Sequence, residues 1–428
     1  MKQYKIIRVA GMHSRAAIES IYSGSLKFES YQKQREFLFS QAAMYSDIFS
    51  YEMRQLGHDA EEIIYDVEPL QKAWAKEHGV SFNDTDWQEK ILLAQLASLK
   101  PEVVYFQDIH SLSYEARAGL KEKIPSIKKI VIFRGFPGAD GNLFKELSTA
   151  DLLLVGSPVL LKLCRREKLK PHLVYHFFDR RILGKLKNRP ESLLNFTFIG
   201  SSGYGYGKGH RDRYWMLTEL LKKTDIRLWI DEPGSELRNN WKGRLRSELI
   251  SLLRAGIGCL DNKMLEGLKR KSGSYPKFQR LVQERIDLRK EARPILLPKR
   301  PLIELFSDRC KPPVFGVEMY QLLRDSKVVL NKHSNAARGT ADNIRLFQAT
   351  GVGSCLLTDH ASNMSQLFEE DREVVTYRSI DECIEKSRFL LSQERIRNAI
   401  AQAGQKRTLK DHNSEVRMKQ IDRLIQVK

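Results

Sequence analysis

The chain has 428 residues, 42% of them hydrophobic, and carries 72 Lys and Arg against 53 Asp and Glu, a formal charge of +19. That length and apolar content suit two domains with sizeable cores and exclude a disordered or fibrous chain. The longest apolar run, DLLLVGSPVLLKLC at 151–164, is broken by Gly156, Pro158 and Lys162, short of the roughly 20 apolar residues that span a bilayer. The first residues, MKQYKIIRVAG, read as a strand without a secretory apolar region, so a cytoplasmic location is expected.

Short apolar runs at 6–10, 63–67, 103–106, 130–133, 152–155 and 173–175 alternate with helical stretches, the pattern of a parallel, Rossmann-like α/β domain. A helix is predicted over 31–56, with apolar residues at spacings of three and four and a stop at Gly57. Asp84-Thr85-Asp86 has the form of a metal-binding DxD, but it directly precedes an amphipathic helix, where Asp84 or Thr85 serves as an ordinary N-cap. No metal is expected.

A polar stretch at 183–192 (LGKLKNRPES lies across it) marks a domain boundary. A new strand at 196–199 then feeds the glycine-rich loop GSSGYGYGKG at 200–209 and a helix over 211–222. Strand, glycine loop and helix in that order form a second Rossmann opening, with Gly200 allowing close backbone approach and Ser201, Ser202 and Lys208 as donors to a ligand. A flexible surface loop is the plain alternative. After a strand at 226–231 the alternation lapses, and 236–310 reads as a basic helical insertion that meets an acceptor or a membrane surface, or is a solvated appendage.

The stretch LNKHSNAARGTADNIRLFQATGVGSCLLT at 330–358 is a strand end, a polar loop, a helix expected over 341–350, and a second strand. Thr340 and Asp342 are good N-cap residues and Gly351 a good helix stop, which is enough for an ordinary joint. Lys332, His333, Asn335, Arg338, Asn343 and Arg345 supply more donors than a cap requires, and helix starts beside strand ends bind anions. A phosphate-bearing ligand is the expectation. A strand at 374–377 and helices from 379 onward complete the chain.

Five cysteines, Cys164, Cys259, Cys310, Cys355 and Cys383, form no CxxC pair, so free thiols are expected. The charge calls for an anionic partner: nucleic acid, acidic lipid, acidic glycan or nucleotide-sugar. Without zinc-finger spacing or an RNP-like motif, nucleic acid is the minor reading.

Three segments, PPVFGVEMYQLLRDSKVVLNKH (312–333), DNIRLFQATGVGSCLLTD (342–359) and REVVTYRSIDECIEKSRFLLS (372–392), with Gly404, His412 and Arg417 after them, resemble the C-terminal half of CgeB-like, spore-maturation type, bacterial glycosyltransferases. The resemblance implies an α/β GT-B fold: two Rossmann-like domains facing a cleft, the acceptor against residues 1–184, the nucleotide-sugar donor against 192–410, and a C-terminal helix within 411–428 crossing back. It implies sugar transfer to a bacterial glycan or glycolipid without a metal or other cofactor, at the inner face of the membrane if the basic surface touches acidic lipid. Lys332, His333, Arg338, Asn343 and Arg345, with Gly200, Ser201, Ser202 and Lys208, are then the donor-binding groups. At Gln348 the related enzymes usually carry the Glu that is similar to a ribose-holding carboxylate; Glu318 and Glu373 are the nearby carboxylates. An inverting enzyme also needs a general base, for which His13, Asp108 and His110, in loops after the first and third strands, are the candidates. A GT-B-fold binding protein without turnover, a nucleotide-sugar epimerase and a nucleic-acid-associated protein are the alternatives.

Overall fold

The computed structural model describes residues 3–12, 17–19, 22, 25–43, 46–136, 138, 142–188, 194–205, 210–232, 257, 260–271, 282, 298 and 300–427. Two parallel six-stranded sheets with helices organise them. The first contains β1 (Lys5–Ala10), β2 (Asp59–Ile64), β3 (Val103–Phe106), β4 (Lys129–Arg134), β5 (Leu152–Val155) and β6 (Pro171–Leu173) in the order β2-β1-β3-β4-β5-β6. Side chains alternate across a strand, and here both faces are apolar. Ile7, Val9, Val104, Phe106, Ile130, Ile132, Leu153 and Val155 enter one core, and Ile6, Val103, Tyr105, Val131, Phe133, Leu152 and Leu154 the other. A sheet buried on both faces reads as near-continuous apolar runs, which is why its strands were visible.

Three boundaries differ from the sequence expectation. The second strand lies at Asp59–Ile64 rather than 63–67, because Val67 already caps the next helix, Glu68–Glu77, whose first turn holds Pro69. The sixth ends at Leu173, two residues before the expected 175. The helix expected over 31–56 is two helices, Tyr31–Ser40 and Ile48–Gln55. The break is tertiary in origin: Ala42 takes a left-handed φ of 49°, and the Gln41 carbonyl accepts the Val317 N–H at 2.9 Å. Gly316 fits there because a Cβ would lie 2.2 Å from that carbonyl oxygen.

The second sheet contains β7 (Leu194–Ser201), β8 (Arg227–Asp231), β9 (Cys310–Lys311), β10 (Ser326–Asn331), β11 (Cys355–Asp359) and β12 (Val375–Tyr377). The chain divides into one compact unit formed by Met1–Ile199 with Pro313–Lys428 and another formed by Gly200–Pro312. In the first unit β12, β11, β10 and β7 run parallel in that order. In the other, β8 pairs with β9 and the helix Arg211–Lys223 accompanies them. Most of the 236–310 insertion lies outside the described residues; within it Asn262–Lys271 and Leu302–Leu305 are helical.

The chain's end joins the two sheets of the first unit. The helix Glu394–Asp411 packs so closely that a Cβ on Gly404 would lie 2.3 Å from the Glu373 carbonyl oxygen. Phe178 and the turn after this helix exchange two backbone bonds, Phe178 N to His412 O and Ser414 N to Phe178 O. The helix Ser414–Gln426 then lies on the first sheet, with Met418, Ile421 and Ile425 in the core that holds Ile6, Phe49 and Met53. Its polar side is tied down as well: Tyr4 donates to Asp422 at 2.7 Å, and Ser414 to Glu52 at 2.6 Å.

Cys164, Cys310, Cys355 and Cys383 are buried free thiols, and Cys259 lies outside the described residues. Among the described residues no helix is long and apolar enough to cross a membrane.

Candidate functional site

In parallel α/β sheets ligands bind at the carboxyl ends of the strands, so the residues just past β10 and β11 come first. β10 delivers Lys332 and His333; β11 ends on Asp359. The Asp359 carboxylate accepts from Lys332 Nζ at 2.9 Å, from the His333 backbone at 2.9 Å and from His333 Nδ1 at 2.8 Å. Burial opposes its ionisation, but the His333 and Lys332 charges and hydrogen bonds outweigh that and hold the carboxyl well below the usual range. An ionised carboxylate on Nδ1 fixes the imidazole and directs Nε2 away from it. His333 is only 4% exposed, and its Nε2 has no hydrogen-bond partner.

Asn343 is positioned by a relay: Asn331 donates to Thr358 at 2.9 Å and accepts from Asn343 Nδ2 at 2.8 Å, leaving Asn343 Oδ1 unpartnered. The helix expected over 341–350 begins later, at Arg345, with Ile344 as its cap, so neither Thr340 nor Asp342 caps it. Asn363 is the reason: its side chain accepts from the Ala341 N–H at 2.7 Å and donates to the Ala341 carbonyl at 3.0 Å, taking the groups a longer helix would use. The helix stop is Gly353, at φ 83°, with Gly351 inside the helix.

Freed from capping, Asp342 turns into the seam between the two sheets. Burial raises its carboxyl to about 6, against the opposing pull of His333 and of Ser157. Ser157, which follows β5, places its fully buried hydroxyl beside that carboxyl without the alignment of a good hydrogen bond, and Asp342 Oδ2 is unpartnered. Asn363 Nδ2 also donates to the Tyr175 hydroxyl at 3.1 Å. Asp342, His333, Ser157 and Tyr175 thus gather donors and acceptors from the carboxyl ends of both sheets.

The other expected donor groups divide. Arg345 is half-buried with a guanidinium nitrogen 3.2 Å from Met319 Sδ, while Arg338 and Glu318 are exposed. Gln348 is buried, donating to the Tyr320 hydroxyl at 3.2 Å. Glu373 accepts from Glu369 N and pairs with Arg407. In the Gly200–Pro312 unit, Gly200 has φ 152° and Ser201 Oγ accepts from Arg213 at 2.8 Å. Ser202, expected as a ligand donor, is fully buried and gives its proton to Glu232 at 2.5 Å, a carboxylate that also takes the Leu302 and Ile303 N–H groups. That hydroxyl serves the fold. Lys208 lies outside the described residues.

Of the three candidate bases, His13 lies outside the described residues. Asp108 is buried, and its Oδ1 accepts from the Tyr65 hydroxyl at 3.1 Å and the His110 N–H at 2.7 Å; the His110 ring is exposed. The DxD is structural: Asp84 pairs with Lys72 and Asp86, not Asp84 or Thr85, stands at the cap of Trp87–Leu99 while accepting from Asn83 N. Among the described residues no group of three or more His, Cys, Asp or Glu could hold a metal. The sequence reading missed roles for Asp359, Ser157 and Tyr175. Asp359 carried a signal, a lone charge ending an apolar strand; the other two become visible only when the strand ends are brought together.

Residues 299–423 match the glycosyl transferase-like family model. No curated protein matches the sequence. Among solved structures the chain is similar to Anabaena HepE in complex with UDP and glucose, with a TM-score of 0.56, 12% identity and 99% of each chain covered. It is also similar to sucrose-phosphate synthase from Thermosynechococcus elongatus (TM-score 0.52, 9% identity, 99% of this chain and 98% of that one), and to a glycosyltransferase from Rickettsia africae (TM-score 0.52, 9% identity, 100% of each). The fold is the α/β GT-B fold of these glycosyltransferase structures.

Proposed function

We propose that the protein is a glycosyltransferase that moves a sugar from a nucleoside-diphosphate sugar to an acceptor hydroxyl. One observation carries this: the segment that matches the glycosyl transferase-like family is the one that sets Lys332, His333 and Asn343 at the carboxyl ends of β10 and β11. In the reaction the bond between the anomeric carbon and the diphosphate oxygen breaks, the acceptor oxygen bonds to that carbon, and the acceptor proton passes to a base. The growing negative charge on the diphosphate needs prepositioned cations and N–H groups. In this reading Lys332, His333, Arg345 and the Asn343 amide supply them, without a metal. Asp342 takes the base role: it lies in the seam with Oδ2 unpartnered, and burial raises its carboxyl to about 6, toward the range where a general base works best.

The finer form of the proposal is a CgeB-like enzyme acting on a bacterial glycan or glycolipid, with the +19 charge drawing it to an acidic membrane face. HepE was solved with UDP and glucose, which makes a UDP-sugar the first donor to try. A second reading, a GT-B-fold binding protein without turnover, is favoured by Gln348, whose amide is packed against Tyr320.

The test is thermal unfolding with UDP, GDP, CMP, ADP and dTDP, for wild type and Arg345→Ala. A ligand that binds only the folded state stabilises it by about 2.7 kcal/mol at 100 times its Kd. One nucleotide is expected to raise the wild-type Tm and to lose that effect in the variant, and its sugar conjugate to be turned over. No shift from any nucleotide at millimolar concentration overturns the proposal.

A further inference from the structure

Four arginines are buried in the unit formed by Met1–Ile199 with Pro313–Lys428, and one of them lacks a counter-charge among the described residues. Arg8 pairs with Glu62, Arg117 with Glu146 and Arg397 with Glu394. Arg417, 8% exposed in the first turns of Ser414–Gln426, donates to Gln420 Oε1 at 2.9 Å, pairs with no carboxylate among the described residues, and leaves Nε without a partner. Burial lowers its guanidinium only to about 10, so it stays charged. Two histidines within its field do not share the charge: burial first, and Arg417 second for His176, push His176 and His412 to about 4. A buried charge without its partner costs several kcal/mol. A guanidinium fork is the group best matched to a phosphate or carboxylate.

The surroundings are those of a ligand site. Tyr175 and His176 follow β6, Gly135 follows β4, and Gly156 with Ser157 follows β5, all at the carboxyl edge of the first sheet. Both glycines let the backbone pack closely at this edge: a Cβ on Gly135 would meet His176 at 3.0 Å, and one on Gly156 would meet the Gly135 Cα at 3.1 Å. Ser157 is fully buried, its hydroxyl beside the Asp342 carboxyl. Gln420, which accepts from Arg417, donates to the Leu173 carbonyl at 3.0 Å, two residues before Tyr175, and the Tyr175 hydroxyl accepts from Asn363, which also holds the Ala341 backbone next to Asp342.

We propose that Arg417, with Tyr175 and Ser157, anchors an anionic group, a phosphate or a carboxylate, carried by the acceptor. The word acceptor rests on the glycosyltransferase reading; the anion site does not. The test uses the full chain saturated with the nucleotide that binds it, or without nucleotide if none does. Tm is measured with inorganic phosphate, glucuronate or glucose against sodium chloride of equal ionic strength. Phosphate or glucuronate is expected to stabilise the wild type beyond chloride and glucose, and the better of the two names the acceptor's acid. Arg417→Gln should raise the half-saturating anion concentration at least ~30-fold, as loss of a buried charge partner does, while Arg417→Lys keeps a weakened response and Arg345→Ala, compared with wild type without nucleotide, a full one. Nucleotide binding should show the reverse pattern, lost in Arg345→Ala and kept in both Arg417 variants. The inference is overturned if neither anion exceeds chloride in the wild type, a result that needs no variant to fold. It is equally overturned if Arg417→Gln responds like wild type, or if Arg345→Ala removes the anion effect. An Arg417-dependent anion effect without any nucleotide effect would leave the site standing and remove the glycosyltransferase reading.

Discussion

Each sheet sets a carboxylate at or just past a strand end, Asp108 after β3 and Asp359 at the end of β11, and the two are used differently. At the first sheet Asp108 holds the Tyr65 hydroxyl and the His110 N–H, bonds that fix the loop after β3. At the second, Asp359 holds Lys332 and His333, and His333 Nε2 and the Asp342 Oδ2 are both buried without a hydrogen-bond partner. A polar residue at a strand's carboxyl end therefore says little by itself. What separates a structural knot from a chemical site here is what the carboxylate holds: a phenol and a backbone N–H at Asp108, two basic side chains at Asp359.

The largest effect should come from cutting the Asp359 relay. Asp359→Asn removes the counter-charge of Lys332 and the charged acceptor of the buried His333, so about 3 kcal/mol of stability should be lost, with donor turnover down ~100-fold as His333 loses its orientation. Asp108→Asn keeps an acceptor for both of its partners and should lower Tm modestly while leaving turnover within a few-fold. Urea unfolding and donor consumption measured on the same two variants decide this. If Asp108→Asn abolishes turnover at unchanged stability, the assignment of roles to the two edges is reversed.

Gly404→Ala probes packing away from either edge. Its Cβ would sit 2.3 Å from the Glu373 carbonyl oxygen, so helix and loop must separate, at about 2 kcal/mol. Nucleotide affinity below the transition should not change; a weaker Kd at full folding would mean that this helix also shapes the site.

Most of the framework was legible because a sheet apolar on both faces writes its strands as plain runs, as at 103–106 and 152–155, which needed no correction. The misplaced elements are those decided by residues far away in sequence. Capping chemistry at Thr340 and Asp342 pointed to a helix start, yet Asn363 claims the Ala341 backbone from 22 residues downstream. The 31–56 helix looked continuous because nothing local reveals that Gln41 must meet Gly316 and Val317. The site was half legible for the same reason. Lys332, His333 and Asn343 share one loop and could be read together, whereas Ser157, Tyr175 and Arg417 join them only through folding, and Ser202 looked free until Glu232 claimed it.

Acid should distinguish the knots from the site by a further route. His412 is buried, with Nε2 2.8 Å from the Leu367 carbonyl, and burial lowers it to about 4. The unfolded chain takes up that proton near 6.5, so this contribution is complete above pH 6.5 and is lost as pH falls toward 4. Between pH 6.5 and 5 it amounts to about 2 kcal/mol. His412→Gln should flatten that part of the urea midpoint against pH curve. An unchanged curve would assign the acid sensitivity to other groups.

The smallest effect, and the one that bears most on the donor, is expected at Gln348. Its Nε2 donates to the Tyr320 hydroxyl, and its Oε1 is buried without a partner, a position enclosed by packing. Gln348→Glu restores the residue usual in the enzymes this chain resembles. If the position only packs, the new carboxyl must be buried, accepting the Tyr320 proton at best, and stability should fall by about 1 kcal/mol at neutral pH with nucleotide affinity unchanged. A carboxylate that instead held the ribose hydroxyls would strengthen nucleotide binding severalfold through charge-assisted bonds. That outcome would require the helix Arg345–Gly351 to present residue 348 to the donor, contrary to its burial here, and would extend the site by one turn of helix beyond Asn343.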